Sequence, residues 1–107
     1  MRVGLHPEAR AEVRSAALWY GERRDGLGEE FMTAVDAALL KIGKAPKSLP
    51  RWLGTEKALA LIRKAPVEWF PYAIAFQEHQ RRVLVLAVAH QKRRPLYWLK
   101  RTRRQPG

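Results

Sequence analysis

Residues 69–98 read WFPYAIAFQEHQRRVLVLAVAHQKRRPLYW, and the alternation within them decides the fold. Tyr72, Ile74 and Phe76 fall on one side of an extended chain, Ala73 and Ala75 on the other. That period of two predicts a strand with one face against a core. Glu78-His79-Gln80-Arg81 is a polar break short enough for a hairpin connection. Val83 to Ala89 then runs without a polar residue, the signature of a central strand covered on both faces. At His90 the character inverts, and Lys92, Arg93, Arg94, Tyr97 and Trp98 crowd the strand's exit. A stiff apolar hairpin that presents a basic, aromatic cluster at its rim is a site-building arrangement.

Upstream, Val3 and Leu5 lie on one side of a short strand within Met1 to Leu5. His6-Pro7-Glu8 starts a helix, with proline at the first helical position and a carboxylate that complements the helix dipole. Ala9, Val13, Ala16, Ala17 and Tyr20 form its buried stripe, and their small size allows close packing. Asp25-Gly26-Leu27-Gly28 breaks it, and a second helix follows with Phe31, Val35, Ala38, Leu39 and Ile42 inward. Gly43 and Pro46 stop that helix. So short a connection makes an antiparallel helix pair. A loop spans Lys44 to Glu56, with Trp52 read as its anchor on the core ahead of an exposed contact residue. Ala58 to Ala65 reads as the first strand of a C-terminal meander, and Pro66 and Pro71 bend that connection or hold it at an edge. The expected architecture is α+β: β-α-α-β-β-β with both helices on one sheet face, in one domain over residues 1–107. A short basic helix or tail closes it from about residue 99.

The 107 residues suit one domain that buries roughly 60–70% of its unfolded surface. There is no cysteine, which fits a reducing compartment. Charged residues interrupt the N-terminal stretch, and no apolar run approaches a bilayer span. A soluble, cytoplasmic chain with no membrane association is expected. Charge carries more information: 21 basic against 10 acidic residues, net +11. Residues 1–56 hold 9 basic and 8 acidic side chains, residues 57–107 hold 12 and 2. Such asymmetry calls for a polyanionic partner. Arg101, Arg103 and Arg104 read as a solvated tail, whereas Lys92 to Arg94 are fixed beside the strand end.

Four passages together resemble the RelE/ParE toxin superfamily of bacterial type II toxin–antitoxin modules. They are LHPEA at 5–9, WYGERRDGLGEEF at 19–31, FPYAIAF at 70–76 and VLVLAVAHQKRRPLYW at 83–98. The likeness is nearer to the ParE and plasmid-stabilisation branch. It implies a small α+β toxin held inactive by a cognate antitoxin that contributes an acidic or amphipathic segment. A ParE-like toxin poisons DNA gyrase without catalysis and requires only a shaped, charged surface. A RelE-like toxin cleaves mRNA on the ribosome without a metal. That chemistry requires an acid and a base for the 2′-OH attack and cations on the phosphate. The residues of suitable type are His90, Arg93 and Tyr97 for catalysis. Arg63, Lys64, Arg81, Arg82, Lys92, Arg93, Arg94 and Trp98 are the types for target or nucleic-acid binding. Glu68 and Glu78, beside expected turns, read as surface groups, and Tyr97 and Trp98 equally suit closing the core. The gyrase reading leads. A plain nucleic-acid-binding module is the reading from another class, although no helix-turn-helix or paired-aromatic signature accompanies it. His6, His79 and His90 are scattered, so no metal and no cofactor are expected.

Overall fold

His6 ends one element and starts the next. Its N–H donates to the Val85 carbonyl (2.8 Å), and its Nδ1 accepts from the Glu8 N–H (3.1 Å). This caps the first helix, with Pro7 at its first position. In the computed structural model, which describes residues 1–103, the elements run as follows. Strand β1 is Val3–Leu5, helix α1 Pro7–Arg23 and helix α2 Leu27–Lys44. A 3-10 turn occupies Pro46–Ser48. Strands β2, β3 and β4 are Ile62–Val67, Tyr72–His79 and Arg82–His90, and a last 3-10 turn is Leu99–Arg101. The sheet order is β1-β4-β3-β2, with β1 parallel to β4 and the other pairs antiparallel. This is the α+β order read from the sequence, with the remainder of the expected basic tail, residues 104–107, outside the described residues. No helix among the described residues is long and apolar enough to cross a membrane.

The helix pair needs two glycines. Gly26 takes a φ of +84° in the connection, a conformation that costs a residue with a Cβ. Gly28 lies so close to α1 that a Cβ there would sit 2.5 Å from the Ala17 carbonyl oxygen. Ala9, Val13 and Ala16 of α1 and Phe31, Val35, Ala38 and Ile42 of α2 pack on Ile74, Phe76, Val83, Val85 and Val88 of the sheet.

The opposite sheet face has its own cover. Ile62, Ala75, Leu86, Ala87 and Ala89 pack there with Trp98, and Trp52, Leu96 and Leu99 close over them. Trp52 meets Trp98 edge-on at 5.0 Å, so it anchors its loop as the sequence implied. Between β3 and β4 the register slips: Ala75 pairs with Ala87 but Phe76 with Val85. Leu86 is the extra residue of a bulge, which moves Val88 onto the helix side.

The first meander strand lies further on than expected: Ile62–Val67, not Ala58–Ala65. Residues 55–58 form a turn, with the Thr55 hydroxyl on the Trp52 carbonyl and the Ala58 N–H on the Thr55 carbonyl. Leu59 and Leu61 are exposed despite their alternation. Pro66 is accommodated because β2 is an edge. The Lys64 N–H points outward to the Pro50 carbonyl, so the nitrogen two residues on also faces away from β3.

The β3–β4 turn is Gln80-Arg81, with φ of +51° and +63°. Two-residue hairpin turns of that hand favour Asn-Gly. The pair Gln80→Asn and Arg81→Gly should add about 1 kcal/mol, raising the thermal midpoint by roughly 4–8 °C. An unchanged midpoint in a calorimetric scan would refute this account of the turn.

Candidate functional site

After Val85, no strand among the described residues lies on the β1 side of β4, because β1 ends at Leu5. Side chains finish that edge. Glu12 Oε1 on α1 accepts the Val88 N–H at 3.0 Å, and Arg101 Nη1 donates to the Leu86 carbonyl at 3.0 Å. The two side chains also meet each other at 3.1 Å. An acceptor and a donor therefore stand where the missing strand's backbone would be, beside the bulge that turned these groups outward. Glu12 Oε2 accepts from the Tyr97 hydroxyl at 2.5 Å. Arg101 is 9% exposed. Its Nε lies 3.3 Å from Glu8 Oε2 without hydrogen-bond alignment, and Glu8 is too exposed for that contact to contribute much.

In front of this brace a groove of about 630 Å³ opens between α1 and the exit of β4. Glu12, Ser15, Trp19, Tyr72, His90, Arg93 and Tyr97 are among its lining residues. His90 ends β4, paired with Tyr72 of β3, whose ring it meets edge-on at 5.0 Å. Its Nδ1 accepts the Lys92 N–H at 3.0 Å, so the proton of the neutral ring sits on Nε2. The Arg93 guanidinium lies 3.9 Å from the Tyr97 ring centroid, and that of Arg101 5.2 Å. Trp19, half exposed at the groove's edge, has Arg23 over its ring at 3.8 Å. Burial and then the Glu12 carboxylate push the Tyr97 phenol well above its ordinary range, against a smaller downward pull from Arg93 and Arg101. Burial also raises Tyr72, with additions from Tyr20 and Glu12, and Arg93 lowers it.

A raised phenol holds its proton more tightly in the folded state than in the unfolded one. The Tyr97 contribution to stability is therefore complete below its ordinary value of 10.0 and is lost as pH climbs above it. Stability should decline above about pH 10, and Tyr97→Phe should flatten that decline. Denaturant titrations across the alkaline range test this, and an equal slope in both proteins would refute it.

His90, Arg93 and Tyr97 do line one groove. Lys92 and Arg94 are exposed in the segment beside it. Trp98 is only 1% exposed and cannot contact a target; it belongs to the core, because the chain folds back over the second sheet face. Arg63 is committed to the Leu49 carbonyl at 2.7 Å. Lys64 lies on the edge strand, its amine 5.0 Å from the Trp52 ring. Arg81 and Arg82 stand at the other end of β4, roughly 27 Å from His90 at about 3.4 Å per residue. The cations whose type suits target or nucleic-acid binding therefore do not share one site: Arg93 lines the His90 groove, whereas Arg81 and Arg82 stand at the opposite end of β4. Arg101 is not a solvated tail residue but half of the brace. Arg103 is exposed, with its backbone tied to Gln77, and Arg104 lies outside the described residues.

Sequence reasoning passed over Glu12. A signal existed: it follows Ala9 by three residues and precedes Ala16 by four, at the border of the buried stripe. Among the described residues no three His, Asp or Glu side chains gather into a metal-holding group. No protein-family model matches the chain, and no curated protein matches it.

Proposed function

We propose that this chain is the toxin of a type II toxin–antitoxin pair, a ParE-like poison of DNA gyrase held in check by a cognate antitoxin. The family likeness of the four sequence passages motivates the reading. The observation that carries the non-enzymatic form is the internal commitment of two of the groove's acid–base groups, Tyr97 and Glu12. The Tyr97 hydroxyl donates to Glu12, and Glu12 is further occupied by Val88 and Arg101. A phenol and a carboxylate held this way are a brace under a contact surface, poorly disposed to exchange protons with a substrate. Arg93, stacked on Tyr97, offers the planar cation suited to recognising a macromolecular surface.

The RelE-like alternative, ribosome-dependent mRNA cleavage, draws support from His90, Arg93 and Tyr97 sharing one groove. In it, His90 Nε2 moves the proton and Arg93 holds the phosphate. Induced expression separates the two. Gyrase poisoning gives growth arrest with loss of supercoiling and intact transcripts; His90→Ala retains this and Arg93→Ala weakens it. Transcripts cut within codons, with cutting abolished by His90→Ala, would overturn the gyrase reading in favour of the nuclease.

The antitoxin's approach is narrowed at one edge. The outer side of β2 already takes the Trp52 N–H and gives the Lys64 N–H to the Pro50–Trp52 segment, and Pro66 has no N–H to offer. Cover of the His90 groove or of the helix pair, not strand addition at β2, is the expected mode.

A further inference from the structure

The end of the sheet far from His90 carries a second cationic cluster with no part in the reading above. β1 runs parallel to β4 in the register Val3–Val83, and the Val83 N–H donates to the Arg2 carbonyl at 2.8 Å. Arg2 therefore lies beside Arg82, and Arg82 pairs directly with His79 across the β3–β4 turn. Arg82 shares its face with Leu84, the face covered by the C-terminal segment. Gln77, fully buried on that face, gives its amide N–H to the Arg103 carbonyl (3.0 Å) and takes the Arg103 N–H on its oxygen (2.7 Å). This two-way clamp brings Arg103 to the same groove, of about 510 Å³, which Arg2, Gly4, His79, Arg82 and Leu84 also line. A Cβ on Gly4 would meet nothing within 4 Å, so the floor of the groove is open.

Like charges set side by side on neighbouring strands are destabilising. Among the described residues, none of Arg2, Arg82 and Arg103 makes an ion pair. His79 Nδ1 is shielded and has no hydrogen-bond partner. Among the described residues no carboxylate pairs with these three arginines; a bound anion would offset their repulsion. With strands about 4.8 Å apart, the row Arg2–Arg82–His79 extends over roughly 10 Å, too long for one small anion. Apart from the arginines and His79, the lining groups are aliphatic or glycine, with no Phe, Tyr or Trp among them to stack a base.

We propose that this groove binds the phosphodiester backbone of a nucleic acid without regard to sequence. The inference holds whatever the His90 groove engages. The test is fluorescence anisotropy of a labelled single-stranded oligonucleotide over a salt series, with the full-length chain. Arg2→Gln and Arg82→Gln should each weaken binding by roughly fivefold at moderate salt and reduce the slope of log K against log salt by about 0.7. Gly4→Glu, which sets a carboxylate in the open floor, should weaken it at least as much with an unchanged circular-dichroism melt. Unchanged affinity and slope in all three variants, with loss in Arg93→Gln, would overturn the proposal by assigning binding to the His90 groove alone. Loss of binding to phosphatidylserine vesicles but not to the oligonucleotide would overturn it too, in favour of a lipid surface. Loss of growth arrest is a separate readout, so this inference and the gyrase reading can fail independently.

Discussion

Glu12→Ala is expected to cost about 3–5 kcal/mol, because it strands the Arg101 guanidinium in a buried site. It also orphans the Val88 N–H and the Tyr97 hydroxyl. Glu12→Gln should cost less, since the amide oxygen still accepts from Val88 while the charge is gone. For buried ion pairs in general, replacing both partners with apolar residues is often neutral or stabilising. Here the outcome should differ. In Glu12→Leu with Arg101→Met, the Val88 N–H and the Leu86 carbonyl would each lose a backbone-like partner, and unmade hydrogen bonds cost about 1–3 kcal/mol each. The double variant should therefore recover little. Chemical denaturation of the single and double variants measures this directly. A double variant as stable as the parent would show that the pair is an ordinary buried ion pair and not the finish of a sheet edge.

Trp98→Ala is the second change of that size. The indole is 1% exposed, stacks edge-on against Trp52 and covers Leu86 and its neighbours on the sheet face away from the helices. Removing so large a buried ring costs about 3–5 kcal/mol. In a domain of this length that lowers the thermal midpoint by roughly ten degrees or more. The loss should also have a location. Residues 91–103 lie over that face through Trp98, Leu96, Leu99 and the Gln77–Arg103 clamp, so the variant should be cut first there under limited proteolysis. Trp98→Phe, which keeps an aromatic ring against Trp52, should lose less. First cleavage in the α1–α2 connection would mean that the segment is held by something else.

The positions of these two residues show what a chain of letters discloses and what it conceals. The sheet and its helix cover were legible because each has its own period: two in Tyr72–Phe76, helical in Phe31–Ile42. β4 was legible as a central strand from its unbroken apolar run. The same uniformity hid the bulge at Leu86, since a phase slip leaves no trace where every residue is apolar. The bounds of β2 were misread because Leu59 and Leu61 alternate like strand residues yet face solvent. Arg101 looked like tail because its partner Glu12 is 89 residues away, and nothing local to either residue marks the pairing. The groove residues His90, Arg93 and Tyr97 were found through their chemical types beside a strand end. Arg81 and Arg82 share only their charge with that set, since the length of β4 separates them from His90.

The brace joins positions 12 and 101, and β1 pairs with a strand some eighty residues later. Such distant closures form late, since the loop entropy must be met before any contact offsets it. During synthesis α1 and α2 emerge long before either β4 or Arg101 exists to receive them. The brace beneath the His90 groove is therefore completed only after Arg101 has emerged from the ribosome.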